Sequence, residues 1–223
     1  MGTPVRVRYE PVFANGIANA ARASTTSGRR RVLGIDPGLT RCGYAVVDGT
    51  GPSAVTAVSM GVIRTPASHP LPARLGELRR EFTSLIAEFE PDVVAVEQVF
   101  FQVNVRTAMS VGQASGLALA EAAIAGCEVV QYTPNQVKDA VAGWGGADKT
   151  QIQKMVQVRL GLSVAPKQAD AADAAALALP HLAVSPIARR ADDLRTDVRI
   201  GRRSGRCGAR CSSAIAPAPR SST

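Results

Sequence analysis

The 223-residue chain is poor in aromatics, which make up 4% of it, and carries four cysteines. It holds no stretch of 18 uninterrupted apolar residues, which argues against a helical membrane span. Cys42, Cys127, Cys207 and Cys211 are scattered, so reduced thiols are expected rather than a disulfide framework. Cys207 and Cys211 alone are too few for a zinc site. The N-terminal stretch lacks the compact apolar segment of a secretory signal, and the expected compartment is the cytoplasm. What is present is an Ala- and Val-rich chain, 46% hydrophobic, long enough for one domain with a full core and some tail.

The net charge of +8 has the size of a nucleic-acid signature, but its placement is uneven. Residues 1–31 carry six Arg and one Glu, and residues 185–223 carry nine Arg and three Asp. Between them, 11 basic residues face 14 acidic ones. A DNA-binding core would therefore need a local basic face rather than a global field.

Residues 1–28 lack sustained periodicity and read as a flexible extension. From Arg31 the pattern becomes regular. RVLGID is a buried strand ended by Pro37-Gly38, and CGYAVVDG and AVTAVSMGVIRT follow as two more strands around a Gly49–Pro52 hairpin. Leu75, Leu78, Phe82, Leu85, Ile86 and Phe89 repeat at helical spacing over 72–90, and Pro91 closes that helix. DVVAVE is a fourth strand, 105–125 a helix rich in small residues, and CEVVQY a fifth strand. Thr133-Pro134 starts a helix through about Val141, Asp148 caps another over 149–160, and 167–183 form the last. After Pro186 the chain turns Arg/Ser/Gly/Ala/Pro-rich. A three-strand meander followed by α/β crossovers predicts a mixed sheet with helices on both faces. The predicted layout is an extension over 1–28, a domain over 29–184 and a basic, disordered tail over 185–223.

Asp36 and Glu97 each end an otherwise apolar strand. A single strand-end acid commonly caps a turn or helix, yet buried ionised carboxylates are costly unless paired or metal-bound. Asp170 and Asp173 stand three apart, on one face near the start of the last helix. A helix N-terminus favours acids on its own account. The rest of that helix, however, is almost all Ala and Leu and should be buried, so acids on its entry point toward something polar. If the four converge, their repulsion calls for cations. An all-carboxylate set is a hard-oxygen site suited to Mg²⁺ or Mn²⁺, and a pair of such ions can hydrolyse a phosphodiester.

VLGIDPGLTRCGYAVVD, VAVEQVFF and QADAADAAAL, with NVRTAMSVGQASG and YTPNQVKDAVAG between them, resemble the acidic motifs and intervening segments of the RuvC resolvases. The resemblance runs from about Arg31 to about Val184. It implies an α/β, RNase H-like fold with a five-stranded mixed sheet flanked by helices. It also implies a homodimer that resolves four-way (Holliday) junctions by paired symmetric nicks, in homologous recombination and DNA repair. Asp36, Glu97, Asp170 and Asp173 then become the catalytic and metal-binding acids, with two Mg²⁺ per site and Mn²⁺ as the alternative. Phe100 matches an aromatic that stacks on a base at the opened crossover, with Phe101 competing for the role; an unpaired base gains about 1–3 kcal/mol from such stacking. Lys138 and Lys149 match basic residues near the scissile phosphate, and Arg106 is a further candidate phosphate contact. RuvA and RuvB, the branch-migration proteins, are the partners the resemblance implies. The extension and the basic tail depart from the family pattern; the tail could add sequence-independent DNA affinity or be a solvated segment.

Three other readings compete with this one. A kinase or chaperone ATPase shares the strand–Asp–Gly–hairpin opening, but needs a second copy of the fold. GWGGADKT nearly spells a phosphate loop, yet Asp148 replaces the glycine that must approach phosphate. A YqgF-like RNA-processing nuclease would share the fold but is disfavoured by VEQVFF and the QVK helix. A non-catalytic junction-binding protein would have no need of all four acids.

Overall fold

A computed structural model describes residues 28–98 and 105–183, with the backbone alone described at 105–107. The elements are β1 (Arg30–Asp36), β2 (Arg41–Gly51), β3 (Ala54–Arg64), α1 (Leu71–Phe89), β4 (Val93–Glu97), α2 (Val105–Ile124), β5 (Glu128–Tyr132), α3 (Pro134–Ala142), α4 (Lys149–Arg159) and α5 (Ala169–Ala183). The five strands form one sheet in the order β3-β2-β1-β4-β5. β1–β2 and β2–β3 are antiparallel, whereas β1–β4 and β4–β5 are parallel. This is the mixed sheet the pattern predicts and the five-stranded RNase H-like arrangement the resemblance implies. The expected extension and tail fall outside the described residues but for Gly28.

Local chemistry sets the boundaries. Glu90 ends α1 in a left-handed conformation at φ 45°, its N–H donating to the Ile86 carbonyl, and Pro91 prevents continuation. α3 and α4 each open on a capping box, Thr133 with Gln136 and Asp148 with Gln151. α5 starts at Ala169, two residues later than its apolar pattern suggests: Lys167 and Gln168 form a bend, and the Gln168 carbonyl accepts from Ala172 N–H at 3.3 Å.

The central strands are apolar on both faces because both are covered. Val32, Ala45, Val47, Val93 and Ala95 pack against α3, α4 and α5. Leu33, Ile35, Val46, Val94 and Val96 pack against Leu78, Phe82 and Leu85 of α1 and Ala114, Ala118 and Ala122 of α2. α5 lies unusually close to the sheet. Its inward residues are alanines, and the strands beneath it carry glycine at the points of contact. A Cβ at Gly34 would overlap the Ala174 carbonyl oxygen, and one at Gly43 the Asp170 carbonyl oxygen. Among the described residues no helix is long and apolar enough to cross a membrane.

Candidate active site

β1 and β4 are parallel neighbours with Ile35 opposite Val96, so Asp36 and Glu97, one step further on, end side by side. Asp36 also pairs across β1–β2 with Gly43, the residue against which the α5 backbone rests at Asp170. The missing side chain at Gly43 thus brings the first turns of α5 down onto the end of β1. One carboxylate oxygen from each of Asp36, Asp170 and Asp173 lies within 4.8 Å of the others. Glu97 stands outside that triplet and shares a hydrogen bond with Asp36.

A cleft of about 250 Å³ opens over this group, lined by Asp36, Glu97, Asp173, Lys138 and Lys149, with Val137 and Leu177 as apolar wall. Asp170 is not among the residues lining the cleft; Arg41 holds it. Arg41 Nε donates to Asp170 Oδ2 at 2.6 Å, and Nη2 lies 2.5 Å from the same oxygen as an ion pair. On the cleft side Lys149 Nζ donates to Asp173 Oδ2 at 2.7 Å.

Burial pushes the Asp36 carboxyl up to about 7, assisted by the charges of Glu97, Asp173 and Asp170. Burial also raises Glu97, with Asp173 adding to the shift while the hydrogen bond to Asp36 and the Lys149 charge oppose it. The pair therefore titrates as a unit that retains a proton near neutral pH when no cation is bound. Lys149 is raised, foremost by its bond to Asp173, and remains charged. The donor set fits a hard divalent cation: the converging groups are all carboxylates, partly dehydrated, and their mutual repulsion is what a cation relieves.

Of the residues singled out from sequence, Asp36, Glu97, Asp170 and Asp173 come together, and Lys138 and Lys149 face the same cleft. Phe100 and Phe101 lie outside the described residues, and Arg106 is described in α2 only by its backbone. Sequence reading missed Arg41. Its position three residues after Gly38 is visible in DPGLTRCG, but the contact spans 129 residues and no local pattern announces it.

The mixed sheet, the helices on both faces and the carboxylates at the carboxyl ends of two parallel neighbours define a protein of the RNase H-like class. A family model described as crossover junction endodeoxyribonuclease RuvC matches residues 32–181. The RuvC of Salinispora arenicola is 54% identical over 152 residues, covering 68% of this chain and 87% of that protein. That of Saccharopolyspora erythraea is 51% identical over 160 residues, covering 72% of this chain and 80% of that protein. Among solved structures, T. thermophilus RuvC in complex with a Holliday junction substrate is similar at a TM-score of 0.66 and 39% identity, covering 68% of this chain and 92% of that one. The chain belongs to the RuvC family of crossover junction endodeoxyribonucleases.

Proposed function

We propose that this chain resolves four-way DNA junctions, cutting phosphodiester bonds in the acidic cleft with divalent cations held by Asp36, Glu97, Asp170 and Asp173. As a member of its family it is a crossover junction endodeoxyribonuclease, acting in DNA recombination. The observation that carries the reading of the site is the convergence of Asp36, Asp170 and Asp173 within 4.8 Å, with Glu97 hydrogen-bonded to Asp36. An all-oxygen donor set favours Mg²⁺, with Mn²⁺ as a substitute. Bound in pairs, such ions would polarise the phosphate, activate a water and neutralise charge at the leaving oxygen.

The protein's own groups do the rest. Asp36 and Glu97, fixed at strand ends, present oxygens from a rigid sheet. Asp170 and Asp173 complete the set from the helix. Lys149 and Lys138 draw the scissile phosphate into the cleft and offset its charge. Phe100, three residues beyond Glu97, stacks on a base at the opened crossover, and Arg106 contacts the backbone further along the strand. A homodimer would set two such clefts on symmetric strands and so make paired nicks. RuvA and RuvB are the partners expected to deliver the junction. This reading places the protein in the cytoplasm, with the nuclease domain spanning 29–184 and the basic tail over 185–223 either adding sequence-independent DNA affinity or serving as a solvated segment.

The test is incubation with a synthetic four-way junction, a linear duplex and an RNA–DNA hybrid, each with and without Mg²⁺. Paired nicks in the junction alone, and only with Mg²⁺, are expected. Preferential cutting of the hybrid favours RNA processing, and tight junction binding without any cut favours a binding protein; either result overturns the proposal.

A further inference from the structure

Two cations already sit on the carboxylates proposed to bind metal. Lys149 Nζ donates to Asp173, while Arg41 Nε donates to Asp170 with Nη2 paired to the same oxygen. The Arg41–Asp170 contact is charge-assisted, and such contacts are stronger than neutral hydrogen bonds. It is also only partly buried, with the Arg41 side chain 42% exposed and Asp170 25% exposed, so it can open without stranding a buried charge.

Arg41 has somewhere else to go. It lines a second, larger groove of about 880 Å³, together with Thr40, Leu71, Arg74 and Gln113. Among the described residues that line it there are two arginines and no acid. Arg74 also braces the turn that carries Arg41: its Nη2 donates to Thr40 Oγ1 at 2.7 Å and its Nε to Thr65 Oγ1 at 2.9 Å. Thr65 in turn donates to the Leu39 carbonyl at 2.5 Å. Thr65 thus ties the backbone beside Arg41 at Leu39 and, through its N–H, at the Thr40 carbonyl, Arg74 braces both threonine side chains, and what remains adjustable is the Arg41 side chain.

We propose that Arg41 is a resident counter-ion that competes with divalent metal for Asp170, and that metal loading releases it to pair with a DNA phosphate in the adjoining groove. The inference rests on the metal-binding role of the four acids. It makes Arg41 a positioning residue that links metal binding to substrate binding. In the metal-free protein the guanidinium neutralises Asp170 and holds its carboxylate beside Asp36 and Asp173. A divalent cation brings a higher charge to the same oxygens and displaces it. The freed guanidinium faces a groove of its own sign, where a phosphodiester is the complementary occupant. Metal and DNA then favour one another, because each relieves what the other must displace.

Mn²⁺ binding to the DNA-free protein, followed by electron paramagnetic resonance, tests the first half. Arg41→Gln should bind Mn²⁺ about fivefold or more tightly than wild type, a coupling of ordinary size. Arg41→Lys, which keeps the charge, should stay near wild type. A residue with only a scaffolding role would weaken metal binding when removed, so an Arg41→Gln affinity equal to or below wild type overturns the proposal. Gel-shift of a four-way junction, read before nicking begins, tests the second half. Arg41→Gln should weaken junction binding about threefold or more in Mn²⁺, and leave it unchanged in chelator, where Asp170 already occupies Arg41. Equal losses in both conditions overturn it. Asp170→Asn serves as the control: if that variant binds Mn²⁺ like wild type, the four-acid reading of the site itself fails.

Discussion

At one end of the β1–β2 pair, Asp48 is 3% exposed and surrounded by cations. It accepts from Arg31 Nε at 2.8 Å, Arg31 Nη2 at 2.9 Å and Arg29 Nη2 at 2.6 Å. Arg31 is its register partner across the two strands. At the other end, Asp36 is largely buried with Glu97, Asp170 and Asp173 for company, and its pKa is pushed up to about 7. The same two strands thus bury one aspartate with its counter-charges built in and one among like charges. The first arrangement needs nothing further to be stable. The second is under electrostatic strain until a cation arrives, and such strain marks a functional site because folding alone would select against it.

That contrast can be broken from either end. The largest effect is expected at the strained end. Glu97→Gln and Asp173→Asn should each slow nicking about a thousandfold, roughly 4 kcal/mol of barrier, in a gel assay on a four-way junction, while junction binding persists. Next comes the contact that brings α5 to the strand. Gly43→Ala places a Cβ into the Asp170 backbone, and this overpacking should cost about 3 kcal/mol in a denaturant melt. At the compensated end, Asp48→Asn should cost about 2 kcal/mol, less than a fully buried broken pair because Arg31 retains some solvent contact. The nicking rate per folded molecule should not change, and a matching loss of rate would erase the distinction between the two aspartates.

The smallest effect is one of pH. An unfolded aspartate titrates near ~3.9, whereas folded Asp36 holds its proton up to about 7. Between these values the folded state binds more protons than the unfolded, so stability falls as pH rises through the window and levels off above it. In chelator, melts of wild type relative to Asp36→Asn should lose about 1–2 kcal/mol from pH 4 to 7, a share of the full shift since the proton is divided with Glu97. Saturating Mg²⁺ should flatten the difference.

Much of this was legible in the sequence, and for local reasons. Pro37-Gly38, Pro91, Thr133-Pro134 and Asp148 are turn and cap residues that act within a few positions of themselves, and the elements they bound begin and end within two residues of expectation. The four acids were visible because each interrupts an apolar segment. Less was legible where two distant segments had to meet. Arg41 on Asp170 depends on how far α5 descends, which Gly34 and Gly43 decide through a backbone contact with no signature in periodicity. Likewise, nothing in the spacing of the acids foretold that Arg41 would hold Asp170 while Lys149 holds Asp173.

A single substitution probes the strained end most directly. Asp36→Asn removes one negative charge from the cluster without changing its shape. Thermal melts in chelator at pH 8, paired with junction nicking in Mg²⁺, should show a protein that melts higher than wild type and no longer cuts. A variant that melts lower, or cuts at the wild-type rate, would contradict the claim that these carboxylates are gathered at a cost to stability in order to hold metal.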